Sequence, residues 1–259
     1  MDLESGVVFV WTALAAAAFF AGVVDAVIGG GGMLQIPALF ALMPGVAPPP
    51  LLGTNKLASA IGTTGAAIQY ARSVANTPWR TVVPCMLVAF VAALAGAYAV
   101  TLIPAEPLKK ALPFILAALL LYSWWSGTGR QHAPSRTPSQ ATLVATSGSS
   151  VIGFYDGFLG AGTGAFYKLL FVRGLGFSFL NASAPAKFTN VASNLGAVVA
   201  FAATGYIFWA LGLFMAVANF IGGQVGARIA LRYGNDFIRR AFYILVSLLI
   251  AKTFKDAYL

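Results

Sequence analysis

The amino-acid sequence predicts an all-α polytopic membrane protein made of two inverted-topology repeats, each of about five helical segments and each holding a short helix set off by a glycine break. Composition is the first reason: 59% of the 259 residues are hydrophobic, 9% are charged and the mean hydropathy is +0.83. Such a chain has too little polar surface to dissolve as a globule. The second reason is segment length. Charge-poor runs stand near 7–28, 53–71, 80–103, 108–125, 141–160, 184–204, 207–230 and 237–257, close to the about 20 residues a spanning helix needs. Two shorter apolar pieces, 33–46 and 164–177, follow glycine clusters. The third reason is an internal duplication.

The stretch from Gly22 to Ala66 returns without a gap from Gly153 to Ala197. Lys56 set over Lys187 fixes the offset at 187 − 56 = 131 residues, which also superposes Asp25 on Asp156, Gly29 on Gly160, Gly31 on Gly162, and Leu39 and Phe40 on Leu170 and Phe171. Glycine and alanine match easily in so biased a composition. Matched Asp and matched Lys do not, in a chain with seven acidic residues.

Taken in order, the chain opens on Met-Asp-Leu-Glu-Ser, acidic where a signal peptide would be basic, so the first span is expected to be retained. Pro48, Pro49 and Pro50 are expected to break the chain before Gly53. The hydrophilic linker near Ser126–Gln140 divides the copies, giving a first transmembrane repeat at 1–126, a cytoplasmic linker at 127–140 and a second repeat at 141–259. Neither half is required to fold alone, since each would then expose polar groups to lipid.

Basic residues accumulate in cytoplasmic loops. Arg228, Arg232, Arg239 and Arg240 are therefore placed inside, together with Arg173, the linker Arg130 and Arg136, and the Arg72–Arg80 loop. Asp2 and Glu4 fall outside, and both termini lie on the non-cytoplasmic side. Lys109, Lys110, Lys252 and Lys255 then also fall outside, beside Glu106 and Asp256. This count favours five crossings per half over re-entrant short pieces. An odd number inverts the second half, the architecture of many secondary transporters, in which two similar halves exchange conformations.

Four consecutive glycines, Gly29 to Gly32, would cost about 1 kcal/mol each inside a helix, so the helix is expected to break there and again at Gly160, Gly162 and Gly164. Backbone freed at membrane depth must face protein or a wet cavity, and the amides of Gly30, Gly31, Gly32, Gly162, Thr163 and Gly164 would open short helices as an anion site. Close helix packing is the plainer use of such small residues. Intramembrane Asp25, Asp156, Lys56 and Lys187 are costly to bury; the lysines are candidates for attracting an anion, and the aspartates for a structural ion pair or a coupling role. Around them lie Thr54, Asn55, Ser59 and Thr63 in one copy and Thr189, Asn190, Ser193 and Asn194 in the other. Lys187, Asn190 and Asn194 share one helix face, expected to line a cavity. Gln35, Tyr70, Tyr155, Tyr206, Asn219 and Gln224 are weaker candidates.

The runs AGVVDAVIGGGGMLQIPAL, LGTNKLASAIGT, GFYDGFLGAGTGAF, AKFTNVASNLGA and GGQVGARIA resemble the TauE/SafE family of bacterial membrane transporters, also called the toluene-sulfonate uptake permease family. The resemblance covers nearly the whole chain. It implies a bacterial inner-membrane transporter of sulfite, sulfoacetate or other organosulfonates, with membrane lipid as a partner and a homodimer as a candidate assembly. Ala161 and Thr163 depart from the glycines of the first copy, so the second copy would hold substrate more through the Thr163 hydroxyl.

One Cys, Cys85, and one His, His132, cannot form a metal cluster or a disulfide, and no cofactor is expected. GTNK lacks the spacing of a phosphate loop and GAGTG the strand–helix setting of a dinucleotide site. The net charge of +9 fits loops near anionic lipid and does not indicate nucleic acid. The expected protein is not an enzyme. An anion channel, and a lipid-directed membrane enzyme using Asp25 with Asp156, stand as alternatives.

Overall fold

In the computed structural model, residues 3–73, 77–125, 137–178 and 180–233 are described, with isolated positions 247 and 255. The elements are α1 (Leu3–Ile28), α2 (Gly32–Leu42), α3 (Pro48–Ser73), α4 (Trp79–Thr101), α5 (Ala105–Trp125), α6 (Pro138–Phe158), α7 (Thr163–Leu175), α8 (Ser183–Ala203) and α9 (Trp209–Tyr233). Expectations placed on Asp2, on linker residues Arg130, His132 and Arg136, and on a last span at 237–257 with Arg239, Arg240, Lys252 and Asp256 lie outside the described residues.

Both glycine clusters break helix as expected, between Ile28 and Gly32 and between Phe158 and Thr163. The prolines at 48–50 do not separate elements. They form the first turn of α3, where a missing N–H leaves no intrahelical bond unmade. The expectation of five crossings per half is corrected at the short helices, which lack the length to cross alone: at 1.5 Å per residue, α2 rises about 16 Å and α7 about 20 Å, against a hydrocarbon core of about 30 Å. α7 turns back beside α6, with Leu170 at Gly148 and both Leu170 and Val144 at Gly174.

Helix directions can be read from which residues meet. Gly53, Gly62 and Gly65 of α3 stand against Tyr206, Asn219 and Gln224, so α3 and α9 run the same way. Phe19 and Val23 of α1 meet Gly222 and Gly226 of α9, and Ala89 and Ala93 of α4 meet Gly153 and Gly157 of α6. Each of these contacts uses glycines four apart, which let helix backbones touch. α3 and α8 run oppositely: Gly53 touches Phe201, Lys56 and Ser193 share Asp156, and Thr63 and Lys187 share Asp25. The long contacts pair α1 with α9, α6 with α4, α3 with α9 and α8 with α4. Residues of the first copy thus pack mainly on residues of the second, and the halves interleave.

Much of the surface is apolar, and the apolar core encloses a buried polar set. Val151 is 73% exposed, Leu102 68% and Val91 66%, whereas Lys187, Gln35, Thr54 and Ser193 are fully enclosed. A soluble monomer seldom exposes so much contiguous apolar surface; a bilayer accepts it. Among the described residues, three helices, at Ser5–Ile28, Trp79–Thr101 and Trp209–Arg232, are long and apolar enough to cross a membrane by composition. α3 and α8 have lower mean hydropathy because their Asn, Lys, Ser and Thr residues face inward.

Candidate functional site

The two breaks lie against each other at the centre of the bundle. Gly29 takes φ +89° and Gly160 φ +82°, left-handed backbone that favours glycine. The Ala165 amide donates to the Gly29 carbonyl at 2.9 Å. A Cβ added at Gly29 would strike the backbone of Gly164 and Ala165, and one at Gly32 would come 2.7 Å from the Gly160 carbonyl oxygen. Among the leading N–H groups, those of Met33 and Leu34 in α2 donate to the Gly30 and Gly31 carbonyls at 3.0 Å and that of Ala165 in α7 to Gly29 and Gly162, while Gly32, Thr163 and Gly164 stand at the helix starts on the cavity wall.

Behind the breaks the charges cross between copies. Lys56 Nζ donates to Asp156 Oδ1 at 2.6 Å, and Asp156 Oδ2 accepts from Ser193 Oγ. Lys187 Nζ donates to Asp25 Oδ2 at 2.6 Å and also to the Asp25 carbonyl, while Thr63 Oγ1 donates to the same carboxylate at 3.1 Å. The 131-residue offset turns one ion pair into the other. Each ammonium is buried with its carboxylate, so neither pays the full cost of an isolated charge.

Between the breaks is a polar cavity of about 20 Å³, lined by Asp25, Gly29, Gly31, Gly32, Asn55, Ser59, Thr63, Asp156, Gly160, Thr163, Gly164, Asn190, Asn194 and Asn219. That is room for about one water. Asn55 Oδ1 and Thr163 Oγ1 are buried here with no hydrogen-bond partner, a costly condition unless something enters the cavity. Asn194 Nδ2 donates to the Asn190 carbonyl at 2.8 Å and to Asn190 Oδ1 at 3.1 Å, and Asn219 Nδ2 donates to Gln35 Oε1 at 2.7 Å.

Of the residues proposed from sequence, Gly31, Gly32, Asn55, Thr163, Gly164, Asn190, Asn194, Asp25 and Asp156 meet on this wall. Gly30, Gly162, Lys56 and Lys187 do not line it: the lysines stand behind the carboxylates, and Gly162 caps α7 against Met33. Tyr155 and Gln224 bond the Ala161 and Gly65 carbonyls instead. Sequence reasoning missed Lys168, 1% exposed in α7, whose Nζ donates to the Val27 carbonyl at 3.0 Å and lies 6.0 Å from the centre of the Tyr70 ring. A charge inside an apolar segment was the available signal, but the 131-residue offset sets Lys168 over Pro37, so it never stood out as a matched pair.

The profile of the family described as Sulfite exporter TauE/SafE matches residues 14–253. The chain belongs to that family. Relatives of similar length include a Probable membrane transporter protein ORF9 from Sinorhizobium, 40% identical across 91% of this chain and 88% of the relative. The Probable membrane transporter protein YfcA of Escherichia coli K12 is 34% identical across 93% of this chain and 88% of its own, and a Probable membrane transporter protein of Haemophilus influenzae is 34% identical across 92% of each. No solved structure matches. This TauE/SafE chain is accordingly a multi-pass membrane protein of a transporter family, and its polar cavity is the candidate place for cargo.

Proposed function

We propose that the protein is a secondary transporter of small sulfur-containing anions, such as sulfite, sulfoacetate or other organosulfonates, working by alternating access between two inverted repeats. The observation that carries this reading is that repeat-equivalent positions line one cavity together: Asp25 with Asp156, Gly29 with Gly160, Gly32 with Thr163, Ser59 with Asn190, and Thr63 with Asn194. A cavity assembled in this way can open to either side by exchanging the conformations of its halves. The helix directions support inversion, since α1 follows α3 and α9 whereas α6 follows α4 and runs against α3 through α8. Each long–short pair then works as a hairpin tipped by its glycine break.

The amides of Gly32, Thr163 and Gly164, the Thr163 hydroxyl and the asparagine side chains supply donors for sulfonate oxygens. Lys56 and Lys187 neutralise carboxylates that would otherwise repel an anion. A chamber for about one water is smaller than a sulfonate, so this arrangement corresponds to a closed state that widens for cargo, which favours a carrier over a standing pore. The reading places the chain in the bacterial inner membrane with Arg72, Arg80, Arg173 and Arg232 cytoplasmic. The test is counterflow in liposomes. Sulfite or sulfoacetate inside should drive saturable uptake of the labelled anion and raise the protein's melting temperature with concentration. Flux that never saturates and shows no exchange would favour the channel.

A further inference from the structure

We infer that Lys168 is a one-sided latch that positions the first glycine break and sets which of the two access states the carrier rests in; this rests on the alternating-access reading above. The last carbonyls of α1 are held by side chains from elsewhere: that of Asp25 by Lys187, that of Ala26 by Tyr70 Oη at 2.8 Å and that of Val27 by Lys168 Nζ at 3.0 Å. Cationic donors at a helix C-terminus act on orphan carbonyls and on the negative end of the dipole together. Lys168 belongs to α7, which also donates the Ala165 amide to Gly29. Two hydrogen bonds therefore fasten α7 of one copy to the end of α1 in the other.

The reverse fastening is not made from the equivalent positions of α2. The residue equivalent to Lys168 is Pro37, which offers neither a side-chain donor nor an N–H. The residue equivalent to Ala165 is Leu34; each amide donates to a carbonyl of its own turn at 3.0 Å, Gly162 for Ala165 and Gly31 for Leu34, and Ala165 adds the bond across to Gly29. Two identical halves would make the two access states equal in energy. Lys168 opposite Pro37 removes that equality in favour of the state with α7 on α1.

Cys85 is the only cysteine and is buried, so Cys85→Ala with Ser59→Cys gives one thiol on the cavity wall. Labelling of this full-length protein in oriented liposomes, with a membrane-impermeant thiol reagent added from either side, reads the balance of states without any substrate. Lys168→Met should change the ratio of the two labelling rates by about tenfold, the worth of a hydrogen bond to a charged group, and Lys168→Arg should keep it near the parent ratio. An unchanged ratio in Lys168→Met, with or without a lower melting temperature, overturns the latch. If the Met variant cannot be purified, Lys168→Gln replaces it with the same expected direction, and Pro37→Lys should move the ratio the other way. Anion counterflow is measured separately on the protein with Ser59, Cys85 and Lys168 intact: absent counterflow there, with a shifted labelling ratio in Lys168→Met, overturns the substrate reading and leaves the latch standing.

Discussion

Asp25 and Lys187 stand 2.6 Å apart where almost no water reaches, and Asp156 with Lys56 repeats the arrangement. Breaking such a pair from one side leaves a buried charge without compensation. Lys187→Met or Asp25→Asn alone should therefore cost about 3–5 kcal/mol, whereas the double variant should recover much of that; chemical unfolding of the purified protein in detergent measures the cycle. Thr163 makes a prediction of opposite sign. Its hydroxyl is buried unpartnered, so Thr163→Val should leave stability unchanged or raise it by about 1 kcal/mol, while anion affinity, read by concentration-dependent melting, should fall about tenfold. At this scale the sequence was legible where chemistry was doubled: matched Asp and matched Lys announced themselves. It did not say which carboxylate meets which ammonium, because an offset aligns equivalent positions and is silent on contact. Lys168 escaped for a related reason, having no counterpart to be matched with.

The helix breaks hold their shape because two backbones touch there. Gly29→Ala would combine a left-handed backbone with a methyl group driven into Gly164 and Ala165, and should destabilise by about 2–4 kcal/mol while abolishing counterflow. Gly45 has nothing within 4 Å of an added Cβ and no left-handed φ, so Gly45→Ala should change stability by less than about 0.5 kcal/mol. Thermal unfolding of both variants under one set of conditions decides the contrast. Both breaks were readable because consecutive glycines are poor helix formers wherever they fall. The start of α3 was not readable, since three prolines signal a stop and a first turn equally well. The return of α7 beside α6 also lay beyond the sequence, because hydropathy gives a segment's length and not the direction of its neighbours.

Across the whole molecule, the interleaving of copies ties folding to topology. Thr77 precedes α4 and Leu102 follows it, so the proposed orientation expects Thr77→Cys to label from the cytoplasmic side and Leu102→Cys from the other. Swapped labelling would reverse the orientation. The membrane class was legible from composition alone, and one offset pointed to the proposed doubled plan. The packing of α1 on α9 and of α6 on α4 was not, as it joins residues about 200 and about 60 positions apart through small side chains whose matches carry little information.

The crossed ion pairs also bear on ancestry. Because each copy lends its aspartate to the other copy's lysine, a gene encoding one copy alone would yield a protein with both groups unanswered. Under the proposed inversion, such an ancestor would satisfy them by meeting a sister molecule lying the other way up in the same bilayer. Fusion of two such genes would then have made permanent a partnership that chance insertion in both orientations had first supplied.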